Sequence, residues 1–194
     1  MKRNTIVGML LVVLVALWVG SCAKAPKEEM NEARDAVARA EADADAKQYA
    51  PASVNKAKEL LATMESEAAA KHYDSAKELA AQAVAAADQA IKDGAAGKAQ
   101  AQRDAAAVVS TAKSSLAELL RAVQAARGVR GITLDFASVD DSVRQVQQSL
   151  DGADRDMSSS AYADATAKAQ AARSSISEIQ RRLSDAVQAA SRKK

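Results

Sequence analysis

The chain has 194 residues, a formal net charge of +2 and only 3% aromatic residues. Its charged residues are interspersed, without a long basic stripe or aromatic platforms for bases, which argues against a nucleic-acid partner. Alanine is abundant, glycine and proline are scarce, and no segment alternates β-branched and polar residues. This composition predicts an all-α fold built from alanine-rich helices.

The first 21 residues are typical of an exported precursor. Residues 2–3 are basic, and residues 6–18 are nearly all apolar, which is the length of a signal-peptide core. The motif Val19-Gly20-Ser21-Cys22 follows and resembles the lipobox of bacterial lipoprotein precursors. The resemblance implies a signal peptide over residues 1–21, cleavage between Ser21 and Cys22, and lipid attachment to Cys22. Because Cys22 is the only cysteine, an intramolecular disulfide is excluded.

Lipoprotein status implies a location in the cell envelope, with the membrane as a partner through the N-terminal lipid. Ala23 follows the cysteine, whereas in enterobacterial lipoproteins Asp at this position resembles an inner-membrane retention signal. We therefore favour the periplasmic face of the outer membrane over the inner membrane or the cell surface. Residues 22–29, with Pro26 and mixed charges, are predicted to form a flexible tether.

Residues 30–97 are predicted to form a first helical unit, because their apolar residues recur at spacings of three and four. Tyr49-Ala50-Pro51 interrupts the pattern, since proline lacks an amide hydrogen and suits the first turn of a new helix. His72-Tyr73-Asp74 looks like a second turn. The apolar positions of the three predicted helices are Met30, Ala33, Val37, Ala40 and Ala44; Val54, Ala57, Leu61 and Met64; and Tyr73, Ala76, Ala80, Ala83, Ala87 and Ala90.

Residues 98–191 are predicted to form a second helical unit. Its first apolar stripe is out of phase with the stripe before Gly94 and Gly97, so we expect a bend or break at residues 94–97. Residues 128–131 are predicted to end this helix, and Asp151-Gly152 to open a polar turn that continues to Ser160. The apolar positions are Ala105, Val109, Ala112, Leu116, Leu119, Val123 and Ala126; Val139, Val143, Val146 and Leu150; and Tyr162, Ala165, Ala169, Ala172, Ile176, Ile179, Leu183 and Ala186.

The two units match at a constant offset of 89 residues. Tyr73 pairs with Tyr162 across turns of equal spacing, and ten apolar pairs in all follow the same offset, from Met30 with Leu119 and Ala33 with Ala122 onward. This offset predicts two units of three antiparallel helices each. Two explanations stay open, namely a duplication and the chance alignment of alanine-rich heptads.

A second resemblance covers residues 45–92. Tyr49-Ala50-Pro51, a helix, a short turn and then Tyr73-Asp74-Ser75-Ala76 resemble a helical domain of unknown function found in many bacterial envelope lipoproteins. The resemblance implies a helical hairpin in the envelope and supplies no activity. The helix after Tyr73 is also similar to the second helix of a tetratricopeptide repeat, but the period is not near 34 and the Trp-x-x-Leu-Gly signature is missing.

The sequence contains no pattern of residues that indicates catalysis. His72 is the only histidine, and neither a nucleophile elbow nor a phosphate-binding glycine loop occurs. The acid pair Asp140-Asp141 suits the N-terminus of a helix. We therefore predict no enzymatic activity, no cofactor and no metal. Two interpretations of Tyr73 and Tyr162 remain, because they either line a ligand-binding groove or pack where a hairpin turns.

The chain ends in Ser191-Arg192-Lys193-Lys194. The major murein lipoprotein of enteric bacteria similarly joins a lipobox to alanine-rich heptads and ends in Arg-Lys, with its terminal lysine linked to peptidoglycan. The resemblance implies a peptidoglycan link through Lys194. Here two lysines follow the arginine and the body has several helices, and basic residues also suit a helix C-terminus.

From these features we expect a lipid-anchored, non-enzymatic helical scaffold or adaptor with a protein partner in the envelope. The first alternative is a ligand-binding module that uses a groove between helical hairpins at Tyr73 and Tyr162. The second is a tether between the membrane and peptidoglycan through Lys194.

Overall fold

The computed structural model describes residues 25–192, which contain six α-helices and no strand. The predicted all-α class is therefore confirmed. None of the helices in this range is long and apolar enough to span a membrane. The first helix begins inside the segment predicted to be a tether, because residues 27–29 are helical. The helices are α1 (Lys27–Ala42), α2 (Ala44–Tyr49), α3 (Pro51–Ala69), α4 (Tyr73–Arg127), α5 (Phe136–Ser158) and α6 (Tyr162–Ser191).

The chain divides into two compact units between Ala95 and Ala96. Unit 1 contains α1, α2, α3 and the beginning of α4, and unit 2 contains the rest of α4 together with α5 and α6. The division falls inside α4, which is helical from Tyr73 to Arg127. Of the bend or break predicted at residues 94–97, the break is therefore wrong. The change of phase needs no break, because the alanine stripe before Gly94 packs within the core of unit 1.

Gly94 has a packing role instead of ending a helix. A Cβ at this position would lie 2.4 Å from the amide nitrogen of Ala46 and 2.5 Å from its Cα. Ala46 is fully buried in α2, and its amide donates a 2.7 Å hydrogen bond to the Asp43 carboxylate that caps this short helix. Only a glycine lets the backbones of α2 and α4 approach this closely.

In unit 1, α3 runs antiparallel to α1 and α4. Glu29 and Lys77, each near the start of its helix, form a 2.8 Å ion pair, so α1 and the beginning of α4 run in the same direction. Ser53, at the start of α3, donates a 2.7 Å hydrogen bond to Asp93, far along α4. The core consists mostly of alanine, which permits close helix packing but removes less apolar area from water per residue than leucine would. Its members are Ala33, Ala36, Val37, Ala40, Ala46, Val54, Ala57, Met64, Ala76, Ala80, Ala83, Ala87 and Ala90.

Unit 2 has larger side chains in its core. Near the end of α5, Asp154 pairs with Lys113 of α4 (2.7 Å) and Asp156 with Lys168 of α6 (2.6 Å). Near the start of α5, Asp140 pairs with Arg127 at the end of α4 and Ser138 accepts a hydrogen bond from Arg182 of α6, so α5 runs antiparallel to both helices. The predicted turn at Asp151-Gly152 is wrong, because α5 continues to Ser158. Gly152 lies buried beside the aliphatic part of Lys168. The larger buried residues are Val109, Leu119, Val123, Val139, Val143, Val146, Leu150, Tyr162, Ile176, Ile179 and Leu183.

The two units share the geometry of one turn at the offset of 89 residues. Lys71 and Ser160 occupy equivalent positions and both adopt the left-handed conformation, with φ of 66° and 62°. Each turn has the two backbone hydrogen bonds of a Schellman motif. These are His72 to Glu67 (2.9 Å) and Lys71 to Ala68 (3.0 Å) in unit 1, and Ala161 to Asp156 (2.8 Å) and Ser160 to Met157 (3.2 Å) in unit 2.

Equivalence weakens at the opposite end of the units. Ala33 is fully buried in unit 1, whereas its predicted counterpart Ala122 is exposed in unit 2. Helix α2 follows α1 almost directly in unit 1, but residues 128–135 contain no helix in unit 2. The two units thus share a hairpin turn and differ at the other end, and the duplication stays a prediction.

Candidate functional sites

Three of the residues predicted to carry function lie outside the described residues. Ser21 and Cys22, at the predicted cleavage and lipidation site, precede residue 25, and Lys194 follows residue 192. Their predicted roles in lipid attachment and peptidoglycan linkage therefore stay predictions.

Tyr73 lies at one end of unit 1 and lines an open groove of about 450 Å³. Its side chain is half-buried at the first position of α4. The ion pair between Arg34 and Glu65, with 2.9 Å between Nε and Oε1, joins two residues that line the groove. The groove lies between the first turns of α1 and the last turn of α3, and its lining is Ala25, Lys27, Met30, Asn31, Arg34, Glu65, Ala68, Ala69 and Tyr73.

A second groove, of about 430 Å³, shares Tyr73 and Ala25 with the first and lies at the same end of unit 1. Its lining includes Glu29 and Lys77. The hydrogen bond from the Lys77 ammonium lowers the pKa of the Glu29 carboxyl, and the same bond raises the pKa of Lys77. Because both groups are exposed to solvent, this pair contributes little to stability.

Tyr162 has a different environment in unit 2. The residue is only 6% exposed, and its phenol hydroxyl lies 3.3 Å from the Ser160 hydroxyl oxygen in the preceding turn. The aromatic ring therefore packs where the α5–α6 hairpin turns. Of the two tyrosines predicted to mark equivalent pockets, Tyr73 lines an open groove and Tyr162 belongs to a packed core.

His72 is an exposed residue whose Nδ1 lies 2.9 Å from a carboxylate oxygen of Glu67. This contact lies across the Schellman turn that joins α3 to α4, so the side chains support the turn. Among residues 25–192, no group of three or more His, Cys, Asp or Glu side chains is arranged to hold a metal ion.

The acid pair Asp140-Asp141 does not lie at the N-terminus of α5 as predicted. The helix begins five residues after Gly131, and Asp135 caps it by accepting hydrogen bonds from two backbone amides. Asp140 lies one turn later, where it accepts two 2.7 Å hydrogen bonds from Arg127. The Arg127 guanidinium also lies 4.8 Å from the centre of the Phe136 ring, which fixes the loop between α4 and α5.

The largest of these grooves was not predicted and lies in unit 2. It measures about 600 Å³ and runs between the last turns of α4 and α6. Its apolar lining comes from alanine, valine and leucine, and three uncharged polar residues complete it. The lining residues are Ala122, Ala125, Ala126, Val129, Gln180, Leu183, Ser184, Val187 and Gln188.

Comparison with unit 1 shows why this groove is open. At the offset of 89 residues, Leu183 corresponds to Gly94, against which α2 packs in unit 1. Unit 2 has a larger side chain at that position and no helix between α4 and α5. A signal for the groove was present in the sequence, because Ala122, Ala125 and Val129 form a second apolar row beside the core stripe of α4.

One family model matches the first part of the chain. Residues 28–106 match the family model of DUF4398, a domain of unknown function. The prediction of a domain of unknown function is confirmed for this region. The DUF4398 match covers less than half of the chain and contains α1, α2, α3 and part of α4. No curated protein and no solved structure matches the chain.

Proposed function

We propose that the protein is a lipid-anchored, non-enzymatic lipoprotein of the bacterial envelope that acts as a helical adaptor. In this proposal the lipid on Cys22 holds the chain at the periplasmic face of the outer membrane. The open groove between α4 and α6 in unit 2 binds a helix of a protein partner. The groove is the observation that carries the proposal.

The composition of the groove favours a helical partner. Small side chains such as Ala122 and Ala125 let another backbone approach closely, while Leu183 and Val187 offer apolar area to be buried. Gln180 and Gln188 can form hydrogen bonds with a polar edge of the partner. In unit 1 the corresponding region is covered by α2, whose small residue Ala46 contacts α4. A partner helix with small residues on one face could pack against α4 of unit 2 as α2 packs against α4 in unit 1.

Site-specific photo-crosslinking in cells tests the groove. A benzophenone amino acid is placed at Ala125, which is exposed in the groove, or at Ala107, which is exposed five turns earlier on the same helix. We expect a discrete light-dependent adduct from position 125 and none from position 107. Ala125→Arg and Ser184→Arg should then abolish recovery of that partner, whereas Ala107→Arg should leave it unchanged. Full recovery with both groove variants would contradict the proposal.

The anchor is tested separately. The wild-type precursor should yield a membrane-bound product, and Cys22→Ser should accumulate as an unprocessed precursor that carries no acyl chains. Mass spectrometry of the N-terminal peptide identifies the lipid, and density-gradient separation of the two membranes identifies its location. A wild-type product with an unmodified Cys22 would exclude the lipoprotein assignment.

A further inference from the structure

We propose that unit 1 contacts the membrane surface through one end, formed by the first turn of α1 and the turn between α3 and α4. This inference rests on the proposed lipid anchor and adds to it the surface that faces the lipid headgroups. We call this surface the turn end of unit 1, and it consists of residues 25–30 and 68–77.

The length of chain between the anchor and the fold carries the proposal. Only three peptide units separate Cys22 from Ala25, and consecutive Cα atoms are about 3.8 Å apart, so the anchored residue lies within roughly 11 Å of Ala25. Ala25 lines both grooves of the turn end. A lipidated Cys22 in a bilayer therefore keeps this end of the unit at the headgroups.

The opposite end of unit 1 lies farther from the membrane than this distance of roughly 11 Å when the helices are perpendicular to the membrane plane. Helix α3 has 19 residues and so is about 28 Å long at 1.5 Å per residue. Its last turn belongs to the turn end, and its first residue, Pro51, lies at the far end near Asp93. The two ends of α3 should therefore differ greatly in their distance from the membrane.

The side chains of the turn end suit an interface between water and lipid. Tyr73 combines an apolar ring with a polar hydroxyl, a combination that is enriched at membrane interfaces. Met30 and Ala68 give the groove apolar walls, and Lys27 and Lys71 have long aliphatic stems that can extend along the headgroups. Acidic residues at this end, namely Glu28, Glu29 and Asp74, offset the lysines. Charge alone does not bring this surface to the membrane, and the anchor is required.

Fluorescence quenching in vesicles tests the orientation. The full lipidated chain is purified, reconstituted into phosphatidylcholine vesicles that contain a nitroxide on the lipid headgroup, and labelled at a single introduced cysteine. Because Cys22 is the only native cysteine and its thiol carries the lipid, the label attaches only to Ala70→Cys or to Ala52→Cys. Both alanines are exposed, and they lie near opposite ends of α3.

We expect the headgroup nitroxide to remove most of the fluorescence from position 70 and little from position 52. Similar quenching at the two positions would show that the unit lies flat on the membrane. Stronger quenching at position 52 would show the reverse orientation. Either result overturns the inference. Flotation of the same samples separates this failure from failure of the anchor. Protein that does not float with the vesicles would overturn both proposals.

Discussion

Substituting Gly94 with alanine tests how unit 1 is closed. Alanine normally stabilises a helix interior by about 0.5–1 kcal/mol relative to glycine. Here the new Cβ would lie 2.4 to 2.7 Å from backbone atoms of Asp45 and Ala46, which cannot rotate away. Helix α2 would have to move by on the order of 1 Å to restore normal carbon contacts. Overpacking of this kind costs about 1–3 kcal/mol, so we expect a net destabilisation of roughly 1–2 kcal/mol.

Gly152→Ala is the matched control, since this glycine is also helical and buried. Its Cβ would meet the Lys168 side chain at 3.3 Å, and a flexible side chain can move aside. We therefore expect Gly152→Ala to be neutral or to stabilise by up to about 1 kcal/mol. Both free energies of unfolding are measured by urea unfolding monitored by circular dichroism, on the mature chain carrying Cys22→Ser. Hydrogen exchange of residues 44–49 then shows whether the loss of stability is localised to α2. If Gly94→Ala proved as stable as Gly152→Ala, the close contact between α2 and α4 would be refuted.

Three further predictions concern caps, turns and pH. Lys71→Gly and Ser160→Gly should each raise the free energy of unfolding in urea by about 1 kcal/mol, because the left-handed conformation costs any residue except glycine about that much. Unchanged urea midpoints would argue against the Schellman turns. Asp43→Ala should lower stability by about 1 kcal/mol through loss of the α2 cap, and Asp43→Asn by much less, because asparagine also caps helices; equal losses would contradict a capping role. The hydrogen bond from Ser53 lowers the pKa of Asp93 below its ordinary value of 3.8, so its contribution is present above that value and is lost as the pH falls through the lower folded pKa. Urea midpoints of Asp93→Asn should depend less on pH over that acidic range, and an unchanged dependence would contradict the effect.

Periodicity predicted most of the core because burial in a helix repeats every three or four residues. Val37, Ala80, Val146 and Ile176 all occupy predicted apolar positions and are at most 1% exposed. Ala44 is an instructive exception, because it was predicted to be apolar core and is exposed, whereas Ala46 is buried.

The cause of that exception is Asp43. It ends α1 and caps α2, and this interruption changes the phase of the following residues. Its neighbours are mostly alanine and other good helix formers, so propensity alone does not indicate a break. The opposite error occurred at Gly94 and Gly152, which are weak helix formers but lie inside helices, Gly94 packed against the backbone of α2 and Gly152 against the Lys168 side chain of α6.

The candidate sites were harder to predict than the core. A groove exists where no element covers an apolar surface, and this depends on which helices pack together and where each one ends. The offset of 89 residues predicted that Tyr73 and Tyr162 are equivalent in position, but their surroundings differ, since one lines a groove and the other packs in a core. Residues 128–135, which form no helix, leave the groove of unit 2 uncovered. The second apolar row of α4 indicates an apolar surface, but it does not show that no helix covers that surface.

The differences between the units indicate where the function of each has to be sought. Both units have the same turn, at Lys71 and at Ser160. The need for a stable hairpin is enough to explain this shared turn. At the other end, Gly94 allows α2 to close unit 1, and Leu183 accompanies an open groove in unit 2. A closed alanine-lined surface has little apolar area left for a partner, whereas an open surface lined by leucine and valine gains free energy when it is covered. Partner binding is therefore expected at the end where unit 2 departs from unit 1, and crosslinks from position 125 should map it.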